Sequence, residues 1–162
     1  MSKSLTPPDS CTPLRLTQQG SVGYSMSHDR EGSRGLPPSL SSFLERVLRI
    51  LADIRIQPAP LEQNVCDAVC EAFGKEGIPF GKEVTVAKGS RVDFLLEGGL
   101  VIEVKKGKPT CRVVEDQVKR YCEADTVSAV ILVSERGLIA PPTKEHNGKP
   151  IRYVALSTNW GV

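Results

Sequence analysis

Apolar residues first fall into rhythm at Leu40, Phe43, Leu44, Val47, Leu48, Leu51 and Ile54, with Glu45, Arg46, Arg49 and Asp53 largely between them. Steps of three and four predict an amphipathic helix over residues 39 to 57, closed by Pro58 and Pro60. Its apolar stripe suits packing on the main domain, or docking of a second copy or a partner protein through residues 39 to 54. Pro60 is placed to open a second helix from about Leu61 to Lys75, which Gly77 and Pro79 punctuate. Three β-rich runs follow at residues 83 to 87, 91 to 97 and 100 to 106, separated by Lys88-Gly89-Ser90 and Gly98-Gly99 as hairpin signals. Beyond Pro109 and Thr110 a helical stretch reaches about Asp125. Residues 128 to 133 then read as a buried strand, and residues 151 to 156 as a last one. The order αβββαβ with a final strand predicts an α/β domain, a mixed sheet flanked by helices.

Composition changes this picture only at the start of the chain. Residues 1 to 42 hold ten Ser, five Pro and four Gly without apolar periodicity, which predicts a flexible tail over residues 1 to 38. Met26 leaves room for a later natural start. The 162 residues are about one domain's worth, with the main domain expected over residues 58 to 162. No apolar run approaches the roughly 18 residues that span a bilayer, and the N-terminus lacks a signal-peptide pattern. The expectation is therefore a cytoplasmic protein with no membrane partner. Five cysteines without a CxxC pair do not predict a disulfide framework.

Charge inside the predicted strands is the informative feature. The run Arg91-Val-Asp93-Phe-Leu-Leu is apolar around its carboxylate, and Leu100-Val-Ile-Glu103-Val-Lys105 sets a Glu and a Lys two apart, on one face of a strand. Half-buried charges are costly unless paired or bound to a metal, so an ion-pair network and a hard-cation site are both open readings. The hairpin register separates them. A two-residue loop at Gly98-Gly99 pairs Asp93 with Val104, whereas a three-residue loop of Glu97, Gly98 and Gly99 pairs Asp93 with Glu103 and puts both carboxylates on the face of Lys105. The metal reading predicts the second geometry. On a helical wheel Glu62 shares the face of Cys66, Val69 and Phe73, and Gln117 and Tyr121 share that of Val114 and Val118. Glu62 could instead be an exposed first-turn acid, and Gln117 and Tyr121 boundary residues of a packed helix.

Glu62, then Asp93, then Glu103-Val-Lys105, then Gln117-Val-Lys-Arg-Tyr121, in that order and on those elements, resembles the PD-(D/E)XK phosphodiesterase superfamily. The Q-x-x-x-Y element is similar to that of its RecB-like exonuclease branch, and the early Glu to that of its small GxxExxY-type members. The resemblance covers residues 61 to 156, and Val92 stands where the family name has proline. It implies a restriction-endonuclease-like mixed sheet and a Mg²⁺ (or Mn²⁺) ion held by Asp93, Glu103 and the Val104 carbonyl, with Glu62 contributing directly or through water. It further implies that Lys105 acts on the attacking water, and that Gln117 and Tyr121 steady Lys105 or touch the substrate backbone.

The implied activity is a magnesium-dependent deoxyribonuclease, a phosphodiesterase with DNA as the expected substrate and RNA as the other candidate, in repair, recombination, restriction or mobile-element work. The alternative is a non-catalytic nuclease-fold subunit that binds nucleic acid or a protein partner. Lys105, Lys106, Lys108, Arg112, Lys119 and Arg120 outnumber Glu115 and Asp116 in one stretch, which suits a phosphate backbone and equally a solvated helix face. Some RecB-like nucleases carry an iron–sulfur cluster, but Cys66, Cys70, Cys111 and Cys122 lack the spacing of those members and read as small buried hydrophobes.

Overall fold

The structure is a computed structural model that describes residues 36–56, 62–107, 110–135 and 143–156, and of Glu62 the backbone alone. The expected tail at residues 1 to 38 lies almost wholly outside these residues. Helix α1 spans Pro38–Ala52, α2 Glu62–Lys75 and α3 Cys111–Glu123. The strands are β1 Phe80–Ala87, β2 Ser90–Leu96, β3 Leu100–Lys105, β4 Ala129–Ser134, β5 Glu145–His146 and β6 Lys149–Ala155. They form one six-stranded sheet in the order β1-β2-β3-β4-β6-β5. The first three strands form an antiparallel meander, β3, β4 and β6 run parallel, and β5 closes the far side antiparallel to β6. The described residues are thus mixed α/β, with one mixed sheet and three helices.

Both faces of the sheet are covered. Leu44, Val47 and Leu51 of α1 and Val65, Val69 and Phe73 of α2 pack with Phe94, Ile102, Val104, Ile131 and Val133. Val114, Val118, Tyr121 and Cys122 of α3 pack with Val101, Val130, Leu132 and Ile151 on the other face. Strand β4, with all six residues buried, lies at the centre and reads as the near-continuous apolar run expected of a parallel strand covered on both sides.

The first helix stops earlier than residue 57. The chain leaves it at Asp53, whose N–H still reaches back to the Arg49 carbonyl, and Arg55 donates to the Ala52 carbonyl at 3.2 Å. Ile54 then turns into the core, 7% exposed, so burial rather than the prolines ends the helix. Helix α1 belongs to the main fold: its apolar stripe lies in the same core as α2 and the sheet, and Arg46 donates to the Glu76 carbonyl at 2.9 Å beyond the end of α2.

Strand β1 starts at Phe80, three residues ahead of the expected start, because Phe80 sits in an aromatic cluster with Phe73 and Phe94, ring centroids 5.5 to 6.3 Å apart. The two-residue strand β5 was not expected. It exists through pairing with β6 across the Asn147-Gly148 turn, where both residues take positive φ.

Candidate functional site

The hairpin takes the three-residue connection. Leu96 pairs with Leu100, Leu95 with Val101 and Phe94 with Ile102, and Glu97–Gly99 form a short 3-10 turn in which both glycines have positive φ. Gly99 is required sterically as well, since a Cβ there would lie 2.2 Å from the Thr126 carbonyl oxygen. Carried one residue further, this register sets Asp93 across from Glu103.

At Asp93 the regular pleat breaks. Between the Lys82–Phe94 and Val84–Val92 pairs, Glu83 takes φ 51, and side chains on both strands change sides. Phe80 and Phe94 pack beneath α1 and α2, whereas Val84 and Val92 pack toward α3. Strict alternation would keep all four on one face. Asp93 sits at this reversal, and its carboxylate Oδ2 accepts the Val104 N–H at 2.7 Å, the bond a backbone carbonyl would otherwise receive in a ladder.

Glu103 is the hub on the α3 face. It is 3% exposed, and three side chains converge on it. Lys105 Nζ donates to Oε1 at 2.5 Å, and Gln117 Nε2 donates to the same oxygen at 2.7 Å. Because a carboxylate only accepts, the amide nitrogen of Gln117 is the end that must face it. Gln117 also donates to the Tyr121 hydroxyl at 2.6 Å, and that hydroxyl lies 3.0 Å from Glu103 Oε2 and 2.9 Å from the Arg91 carbonyl, two acceptors for one proton. The four-residue step from Gln117 to Tyr121 makes this possible, since i and i+4 share a helix face. Tyr121 therefore ties α3 to both β2 and β3.

Burial, then the negative charge of nearby Asp93, pushes the Glu103 carboxyl above its ordinary value, against the opposing pull of Lys105. Burial and the Glu103 charge push the Tyr121 phenol far up, so it stays protonated. The site thus holds two mutually repelling carboxylates, one ammonium at their edge and a neutral donor pair behind them.

A hard divalent cation suits this donor set on its chemistry. The ligands are all oxygen, and a positive charge between Asp93 and Glu103 would relieve the repulsion that raises the Glu103 pKa. Among the described residues no group of three Asp, Glu, His or Cys side chains gathers, so any third carboxylate would have to come from outside them. The expected contribution of Glu62 is of that kind: its backbone opens α2, and its side chain lies outside the described atoms.

Of the predicted site residues, Asp93, Glu103, Lys105, Gln117 and Tyr121 come together, and Val104 joins them through its N–H. Lys106, Arg112 and Arg120 are exposed, while Lys119 is paired to Glu115 at 2.9 Å along α3. Three residues beside the site had not been singled out. Glu135, 6% exposed at the end of β4, accepts the Gly107 N–H at 3.1 Å, while its own N–H bonds the Lys105 carbonyl. Ser134 is fully buried and shares a 2.5 Å hydrogen bond with the hydroxyl of Tyr153. The signal was the Ser-Glu pair ending the otherwise apolar Ala129-to-Val133 run, which by itself looks only like the end of a strand.

No protein-family model matches the chain, and neither a curated protein nor a solved structure matches it significantly. Among the described residues no helix is long and apolar enough to cross a membrane.

Proposed function

We propose that the protein is a metal-dependent nuclease of the restriction-endonuclease-like fold, hydrolysing phosphodiester bonds in DNA, with RNA as the other candidate substrate. The observation that carries this reading is the convergence of Lys105, Gln117 and Tyr121 on Glu103, with Asp93 across the hairpin. The antiparallel β1-β2-β3 meander, the α3 crossover and the parallel β4 supply the αβββαβ frame that the PD-(D/E)XK resemblance implies.

Asp93, Glu103 and the Val104 carbonyl would hold a Mg²⁺ or Mn²⁺ ion, with Glu62 as a further ligand. When bound, such an ion supplies Lewis-acid activation of phosphate and water. Lys105, 24% exposed and held at the edge of the carboxylate pair, orients a water by hydrogen bonding and offers its charge to the phosphate oxygens as negative charge builds on them. Gln117 fixes the rotamer of Glu103, and Tyr121 anchors that arrangement to the Arg91 backbone, so the carboxylate cannot swing away from Lys105. Arg112, Arg120 and Lys106 offer exposed positive charge to a nucleic-acid backbone without reading its sequence.

The test is cleavage of end-labelled single- and double-stranded DNA and RNA in Mg²⁺, Mn²⁺ and EDTA. Products in either metal that vanish in EDTA support the reading; no products with any substrate overturn it. A second reading, a nucleic-acid- or protein-binding subunit without catalysis, draws on the saturation of the network: every described buried side-chain polar atom has a partner. It predicts binding without cleavage, unchanged by Asp93→Ala.

A further inference from the structure

A phenol and a serine extend the polar face beyond Lys105. Strand β4 is apolar from Ala129 to Val133 and ends in Ser134, which is fully buried. A buried hydroxyl needs a partner, and Ser134 Oγ meets the Tyr153 hydroxyl at 2.5 Å. Register places this pair beside the site. Lys105 pairs with Ser134 across β3 and β4, and Leu132 with Tyr153 across β4 and β6, so Ser134 stands one strand spacing, about 4.8 Å, from Lys105. Tyr153 packs with the α3-side core, the side on which Glu103 meets Gln117 and Tyr121, and it remains partly exposed. The three strands run parallel, so Lys105, Ser134 and the Tyr153 hydroxyl lie toward the same carboxyl-terminal edge, where ligands of open parallel sheets bind.

We propose that Tyr153, held by Ser134, is a binding residue that donates a hydrogen bond to a backbone phosphate of the nucleic-acid strand, next to the phosphate facing Lys105. The inference rests on the nuclease reading and adds to it a subsite on the β6 side. Tyrosine and serine hydroxyls are regular partners of nucleic-acid phosphates, where they set the register of the strand without reading bases. The Ser134 bond fixes the phenol oxygen in place, so little side-chain freedom is lost when a phosphate arrives. A neutral donor displaces no counterion, which separates it from the lysines and arginines around it.

The experiment compares the full chain with Tyr153→Phe and Ser134→Ala, using a labelled single-stranded DNA oligonucleotide in Mg²⁺ and single-turnover cleavage across a salt series. Thermal melts check the fold. Expected is about a tenfold rise in KM for Tyr153→Phe, a smaller rise for Ser134→Ala, an unchanged maximal rate, and a salt dependence parallel to that of the wild type. Wild-type cleavage with KM unmoved in both folded variants overturns the subsite and leaves the nuclease standing. A fall in maximal rate at constant KM likewise overturns it, because that would make Tyr153 a support of the catalytic groups. A wild type that neither binds nor cuts the oligonucleotide overturns both.

Discussion

At the residue scale, Glu103 decides how the site behaves with pH. Its carboxyl is raised above the ordinary 4.5 chiefly by burial, so the folded protein holds that proton more tightly than the unfolded chain. The resulting stability is present at low pH and is lost as pH rises from 4.5 through the raised value. Urea melts in EDTA should therefore show Glu103→Gln losing less stability than the wild type as pH climbs across that window. Parallel curves would mean that Glu103 carries no raised pKa. Tyr121→Phe removes the hydroxyl that faces Glu103 and Arg91 and should cost about 1–2 kcal/mol, measured by the same melts at constant pH. An unchanged midpoint would show that α3 does not depend on this contact.

At the element scale, the β2–β3 hairpin is the part of the fold most legible in the sequence. Gly98-Gly99 admitted two loop lengths, and only the longer sets Asp93 opposite Glu103; the observed Leu96–Leu100 pair takes that choice. The two glycines then differ in a testable way. A Cβ on Gly98 meets only the flexible Leu40 side chain at 2.9 Å, whereas on Gly99 it strikes the Thr126 backbone oxygen at 2.2 Å. Gly98→Ala should cost about 1 kcal/mol for its left-handed backbone and Gly99→Ala distinctly more, read by denaturant melts. Equal costs would contradict this packing.

Other features of these elements were hidden for physical reasons. Alternation assumes an unbroken pleat, so nothing in the run Phe80 to Leu96 announced that both strands turn over at Glu83 and Asp93. Glu83 takes its left-handed backbone where the pairing omits Asp93. The two residues of β5 carry too little pattern to declare a strand and acquire one only from β6. Ser134 and Tyr153 lie 19 positions apart, and only the parallel β4–β6 register brings their hydroxyls together.

Across the whole molecule, the six strands form one layer with helices on both sides, and the polar groups cluster where β3, β4 and β6 end. The sequence left α1 free to serve the core or a partner. Its Leu44, Val47 and Leu51 lie in the core shared with α2 and the sheet, which makes α1 part of the frame that carries the site. Leu51, fully buried, should on truncation to Ala cost about 2–5 kcal/mol in thermal or urea melts. A variant that melts like the wild type but changes its sedimentation would instead mark α1 as an oligomer contact. The site's carboxylates, lysine and Q-x-x-x-Y pair were legible because i, i+2 and i, i+4 spacings fix faces within one element. Glu62 was legible only as a position, at the start of α2.

The most direct measurement is single-turnover cleavage of a labelled DNA in Mg²⁺ by the wild type, Asp93→Ala and Lys105→Ala, with circular dichroism verifying that all three fold. Expected is cutting by the wild type and a loss of about 10²-fold or more in each variant. Cleavage by Lys105→Ala at the wild-type rate would contradict the role proposed for Lys105.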